Sequence, residues 1–249
     1  MKKKITALIP AREGSIRVPN KNIRILDGHP IISYSIQSAI DSELFDSIIV
    51  ASNSNEICAI AKHYGATQVI KRNDSDSLST SADIEWLRNL NTSGYLTTDF
   101  FAILRPTSPL RSIKLMQDCV SNFLNTTADS IRTISKVKEH PGKMWHFEEG
   151  DVIRPYLSQL QGYPATHAMQ YQSLEELYVQ TSVFEVAKTS VIREFDSREG
   201  KTILGYITYG IDSHAIDSEQ DFDYLTYLVT NNPRLLPVIK KLPWLLAHE

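Results

Sequence analysis

The chain has 249 residues, 42% of them apolar, and 26 Lys and Arg against 29 Asp and Glu give a formal net charge of -3. That composition suits a sizeable buried core and excludes fibrous, disordered and membrane classes. Both signs of charge are interspersed, so no global field recruits nucleic acid or an anionic membrane surface, and a highly anionic ligand needs a local basic site.

The opening MKKKITALIP sets lysines before an apolar run of about seven residues that stops at Pro10 and Arg12, whereas a signal peptide or a spanning helix needs more. Cys58 and Cys119 lie far apart and without metal-ligand spacing, which argues against a disulfide framework or a zinc site. A cytoplasmic protein is expected.

In chain order, short apolar runs at Ile5 to Pro10, Ser47 to Ala51, Gln68 to Ile70, Phe101 to Leu104 and Ser130 to Ile134 predict buried strands. Helical spacing recurs between them, at Ile31 to Ile40, Glu56 to His63, Ile84 to Leu90 and Ile113 to Phe123. This alternation predicts an α/β fold of three αβα layers with a mostly parallel, Rossmann-like sheet. Ligands bind outside the carboxyl ends of such strands, so the loops after Leu8, Ala51 and Leu104 are where chemistry is expected. From about Lys136 to Tyr178 the alternation breaks around Trp145, Pro141, Pro155 and Pro164. This aromatic-rich stretch, about 136–180, reads as an insertion within one domain spanning 1–249. The tail from Pro233 carries Leu235, Leu236, Ile239, Leu242 and Leu245 at helical spacing and predicts a closing helix.

The first strand runs directly into a loop that gathers Arg12, Arg17 and Lys21 around Gly14 and Ser15. Cations on a small-residue turn describe a phosphate cradle: Gly14 lets backbone N–H groups approach, Arg12 holds an oxygen pair in its fork, and Lys21 adds a point charge. The loop has neither P-loop spacing nor the paired glycines of a dinucleotide fingerprint. Ordinary solvated charges on a turn set by Pro10 and Pro19 are the alternative.

These residues, as IPAREGSIRVPNKN, closely resemble the first motif of the acylneuraminate cytidylyltransferases, a family that includes CMP-sialic, CMP-legionaminic and CMP-pseudaminic acid synthetases, with the CMP-Kdo synthetases as cousins. Further landmarks follow in order: FDSIIVASNSN at Phe45 to Asn55, the basic run ending at Arg72, LRPTSPLR at Leu104 to Arg111, His140-Pro141 with Lys143, and Ile216 to Phe222. The resemblance implies a nucleotide-diphospho-sugar transferase type of fold and CTP-dependent transfer of CMP to the anomeric hydroxyl of a nine-carbon 2-keto acid sugar, with pyrophosphate leaving.

It implies a catalytic role for Arg12, Lys21 and Asp217, and a nucleotide seat formed by Leu8, Pro10, Ala11, Arg12, Gly14, Ser15, Asn22 and Arg72. Mg2+ is expected on Asp217, with Asp221 as a second candidate whose alternative reading is a charge at a helix N-terminus. The sugar acid is expected against Arg105, Thr107, Ser108, Lys143, Gln180 and Thr181, and a homodimer through the insertion. Several positions depart from the family pattern: Arg105 stands for a glutamine, Ala215 for an aspartate, and Thr181-Ser182 for Asn-Gly, while Glu185 adds a charge of no assigned role. His167, Gln170, Tyr171 and Gln172 form a polar, aromatic patch suited to a hydroxylated ligand. Competing readings are a Kdo-type acceptor, a non-catalytic nucleotide-binding relative, and a glycosyltransferase, which would need an Asp-x-Asp-like motif that Leu104 to Arg111 lacks.

Overall fold

The computed structural model describes residues 3–15, 17–73, 75, 81–157 and 165–245. Ile16 of the basic loop, most of the Ser-rich stretch before Ser81, Pro164 and the tail residues 246–249 lie outside them.

The elements begin with β1 (Ile5–Pro10), a short hairpin of β2 (Ile25–Leu26) and β3 (His29–Pro30), α1 (Ile31–Asp41), β4 (Ser47–Ser52), α2 (Asn55–Tyr64) and β5 (Gln68–Lys71). There follow α3 (Asp83–Thr92), β6 (Phe100–Ile103), α4 (Ile113–Leu124), β7 (Ser130–Lys136) and a second hairpin of β8 (Trp145–Phe147) and β9 (Ile153–Pro155). The chain ends with β10 (Tyr178–Lys188), α5 (Ser190–Phe195), β11 (Ile203–Ile207) and α6 (Glu219–Asn231). Two compact units result: Met1–Thr133 with Thr181–Glu249, and Ile134–Gln180.

Seven strands form one sheet in the order β11-β7-β10-β6-β1-β4-β5. β1 runs parallel to β4 and β6, and β4 to β5, whereas β10 lies antiparallel to β6. The parallel part is the part in which strands and helices alternate in sequence, because a parallel neighbour needs a crossover helix.

Side chains alternate along β1, and the two faces bury different helices. Ile5, Ala7 and Ile9 join a core with Ile32 and Ile36 of α1, Ile60 of α2 and Met116 and Phe123 of α4. Leu8 faces the other way, onto Trp86 and Leu87 of α3 and Ile192 of α5. Helices therefore cover both faces of the sheet, giving three layers. Burial of each large apolar side chain contributes roughly 1.5–3 kcal/mol, which is why period-2 and period-3.6 patterns are so readable here. A third cluster packs Phe222, Leu225 and Val229 of α6 on Ile31 and Tyr34 of α1.

The tail departs from its predicted helix. After a single short turn at Pro233–Leu235 the described residues are irregular, because Pro237 and Pro243 lack the N–H a helix needs and restrict the residues before them. The apolar residues still dock: Ile239 and Trp244 pack on the main core, Trp244 N donates to Tyr64 Oη (3.1 Å), and His63 Nε2 meets Leu242 O (2.8 Å).

Candidate active site

β1 ends at Pro10, and the backbone beyond it is tied down on several sides. Ala11 N donates to Ala51 O (3.0 Å), Glu13 N to Asn53 Oδ1 (2.9 Å), and Asn22 Nδ2 to Arg12 O (2.9 Å). Gly14 takes φ +76°, a conformation that disfavours any side chain, and a Cβ there would meet nothing within 4 Å. The basic loop thus turns back on itself and presents its cations together.

They line a cleft of about 500 Å³ beyond the carboxyl ends of β1, β5 and β6. Pro10, Arg12, Ser15, Lys21 and Asn22 come from the loop, Arg72 from the end of β5, Arg105 and Thr107 from the turn after β6, and Asp217 from the segment before α6. Nine residues expected from sequence therefore meet in one cavity. Arg17, Val18, Ser81, Asp83, Pro106 and Ser182 complete the lining, and of these Arg17 was read from sequence as part of the basic cradle. Asp83 carried a readable signal, an acidic first residue in α3 after a Ser-rich stretch, whereas Ser182 was marked only as part of the Thr181-Ser182 departure from Asn-Gly.

Electrostatically the cleft is a cluster of five cations with two carboxylates, Asp83 and Asp217, in its lining. Arg17 pairs with Asp217 (3.1 Å), and Lys21 lies 3.8 Å from the same oxygen while donating to Ile216 O (2.9 Å). Burial lowers the Lys21 ammonium below its ordinary pKa, Asp217 opposes this, and Arg17 and Arg12 reinforce it. Arg72 lies over the Trp86 ring at 5.3 Å, which orients its guanidinium at the cleft.

Other expected residues take different parts. The Leu8 side chain is fully buried in the core and its carbonyl accepts from Leu104 N (2.9 Å), so it supports the cleft from below instead of lining it. Ala11 is likewise buried. Ser108 is buried, with its backbone closing the turn to Arg105 O (3.3 Å). Thr181 donates to Thr133 Oγ1 (2.6 Å), a strand-to-strand contact, and its neighbour Ser182 faces the cleft. Asp221 Oδ2 accepts from Asp217 N (2.9 Å) and Ser218 N (2.7 Å) in a capping box that starts α6, so its carboxylate caps that helix.

In the second unit, Lys143 Nζ donates to His167 O (2.9 Å) and Met169 O, which ties two of its three N–H donors to backbone carbonyls. Gln180 belongs to the same unit. Tyr171 Oη lies 3.0 Å from Val137 O and 3.1 Å from Lys138 O, so that patch is internally bonded.

Arg105, expected against the sugar acid, lines the cleft and joins a network of three guanidinium and three carboxylate groups. Arg105 and Arg198 both bind Asp83 Oδ2, Arg132 binds Glu185 (2.8 Å) and Glu199 (2.6 Å), and Arg105 and Arg198 approach Glu185 at 3.8 and 3.6 Å. Glu185, unassigned from sequence, is thereby explained as a counter-charge. Burial alone would raise the Asp83 pKa, but Arg105, as charge and donor, and the Trp86 indole N–H hold it down at about 2. A carboxylate depressed in this way stabilises the fold above its unfolded pKa and ceases to do so as pH falls through its folded value. We expect about 2 kcal/mol of stability to disappear between about pH 4 and pH 2. Thermal melts across that range should show the loss in the native chain and a flatter profile in Asp83→Asn.

Residues 6–207 match the family model described as Cytidylyltransferase. The chain belongs to that family. Among characterised relatives it is 31% identical over 160 residues to the CMP-N,N'-diacetyllegionaminic acid synthase of Legionella pneumophila, covering 63% of this chain and 68% of that protein. It is 28% identical over 230 residues to the post-translational flagellin modification protein B of Campylobacter coli, covering 90% and 94%. The match to the N-acylneuraminate cytidylyltransferase of Escherichia coli O18:K1:H7 is 38% identical but spans 45% of this chain and 26% of that protein. A solved CMP:2-keto-3-deoxy-manno-octonic acid synthetase complexed with CTP superposes with a TM-score of 0.68 over 92% of this chain and 99% of that one, at 12% identity, a likeness of fold.

Proposed function

We propose that this member of the family transfers CMP from CTP to the anomeric hydroxyl of a nine-carbon 2-keto acid sugar of the sialic, legionaminic or pseudaminic type. The observation that carries the reading is the convergence of Arg12, Arg17, Lys21 and Arg72 on one cleft at the carboxyl ends of parallel strands, with Asp217 at its edge. The anomeric oxygen attacks the α-phosphorus, the bond to the β-phosphate oxygen breaks, and negative charge grows on the leaving pyrophosphate. Arg12 and Lys21 stabilise that charge from fixed positions, and Arg72 and Asn22 hold the nucleotide.

Among the described residues no cluster of three or more metal-ligating side chains exists, so a self-sufficient metal cage is not built. Asp217, the cleft carboxylate outside the Arg105–Asp83 network, nevertheless suits Mg2+, which takes one or two carboxylates and completes its shell with phosphate oxygens and water. Asp217 would hold the ion, which supplies charge neutralisation at the phosphates.

The same reading makes the protein a cytoplasmic homodimer. In support, both cysteines are free thiols, no described helix is long and apolar enough to cross a membrane, and the β8–β9 hairpin of the second unit exposes Trp145, Phe147 and Ile153.

The test is pyrophosphate release from CTP with magnesium over N-acetylneuraminate, legionaminate, pseudaminate and Kdo. Release with a nine-carbon acid is the expected result. Silence over the whole panel while CTP still binds would reduce the function to nucleotide binding, and release with Kdo alone would move it to that branch.

A further inference from the structure

Arg105 and Asp83 both line the cleft, yet each is engaged before any ligand arrives. Asp83 accepts from Arg105 Nη2, from Arg198 Nη1 (2.5 Å) and from Trp86 Nε1 (3.1 Å), which leaves it little capacity to receive a ligand hydroxyl. Glu185 lies 3.8 Å from the same Arg105 nitrogen and is tied from behind by Arg132. Among the described residues, Nη2 is the one guanidinium nitrogen of Arg105 that donates a hydrogen bond. Arg105 therefore faces the cleft with its charge matched and with further N–H groups available.

Such a fork donates hydrogen bonds without presenting net charge. A ligand carboxylate on it would bring a third negative charge up to a guanidinium already shared by Asp83 and Glu185, and both would repel it. A carbonyl or hydroxyl oxygen of the acceptor meets no such repulsion. Building on the nucleotidyl-transfer reading above, we propose that Asp83 and Glu185 are positioning residues that neutralise Arg105 and fix its fork, so that Arg105 selects acceptors by donating to an uncharged oxygen, an amide carbonyl or a hydroxyl.

Arg105→Gln, Asp83→Asn and the double variant test this. For each, CTP affinity is measured by titration, and KM and kcat are measured for a keto acid bearing an N-acyl group. We expect either single change to raise the acceptor KM about tenfold, with the loss falling on KM more than on kcat and with CTP affinity held. The double variant should be no worse than Arg105→Gln, because Asp83 acts through Arg105. A purely structural Asp83 would instead multiply its effect onto that of Arg105→Gln, and this result overturns the proposal. So does an acceptor KM that Arg105→Gln leaves alone. Should Asp83→Asn fail to fold, Glu185→Gln completes the same cycle with the same expectation. Loss of CTP binding in the unaltered protein would instead sink the nucleotidyl-transfer reading itself.

Discussion

Arg12→Ala should lower kcat/KM for pyrophosphate release by about 10²–10³, the loss seen when one preorganised donor to a developing anion is removed. The expectation rests on how firmly the backbone is held at that point. Arg12 follows a residue bonded to Ala51 O, its own carbonyl is held by Asn22, and the next amide is bonded to Asn53. A guanidinium launched from so constrained a position needs no reorganisation when pyrophosphate departs. Arg12→Lys should recover a minor part of the loss, since a point charge cannot hold two phosphate oxygens in a planar fork. Because Arg12 is only half-buried at the cleft, the melting temperature should stay near that of the native chain. Steady-state kinetics beside a CTP titration separates binding from chemistry. A fall in activity matched by an equal fall in thermal stability would mean that the side chain braces the loop and does not act on the nucleotide.

Arg111→Ala should cost about 3 kcal/mol of folding free energy, the largest stability effect expected of any single change around the site. Arg111 is 3% exposed. Each of its three guanidinium nitrogens donates to an uncharged acceptor: Val183 O (2.5 Å), Arg105 O (2.9 Å) and Ser35 Oγ (3.4 Å). Burial pushes its guanidinium down to about 9, so it remains a cation at neutral pH. Truncation removes the side-chain donor to Val183 O and one of the donors to Arg105 O, which keeps Ser108 N and Ser35 Oγ, and it opens a void, offset in part by the relief of desolvating a charge. Those carbonyls belong to β10 and to the turn that carries Thr107, so activity should fall together with stability. Arg111→Met, which keeps the volume and loses the donors, should fall between the two. Urea denaturation with an unchanged m-value and a lowered midpoint is the expected signature. A midpoint that does not move would show that the loop is held by its prolines alone.

How much of this was legible beforehand differs sharply between elements. The five predicted strands and four predicted helices appear at nearly the expected places, since each carries its pattern within a few consecutive residues. The tail shows the limit: Leu235, Leu236, Ile239, Leu242 and Leu245 keep helical spacing, yet Pro237 and Pro243 forbid the helix, and the chain lies across α2 as an irregular strap. Local backbone chemistry outweighed periodicity there.

By itself the sequence determined the alternating α/β architecture, the basic loop after the first strand, and the grouping of Arg12, Lys21, Asn22, Arg72, Arg105, Thr107 and Asp217 as candidates for one site. The first two are properties of short segments, set by side-chain period, turn chemistry and local charge, and the grouping is what the resemblance of the motifs to the family implied. Tertiary structure alone decided which charges are free. Arg105, Asp83, Glu185, Arg132, Arg198 and Glu199 come from five separate stretches of chain, and their pairing exists only once β6, β7 and β10 lie side by side. The same holds for Arg111, whose exposed-looking turn is closed over by β10, and for Asp221, which caps a helix. A cation bound by a ligand and a cation neutralised by its own protein read alike in sequence, because Coulomb energy depends on distance and burial, and neither is written in the order of residues.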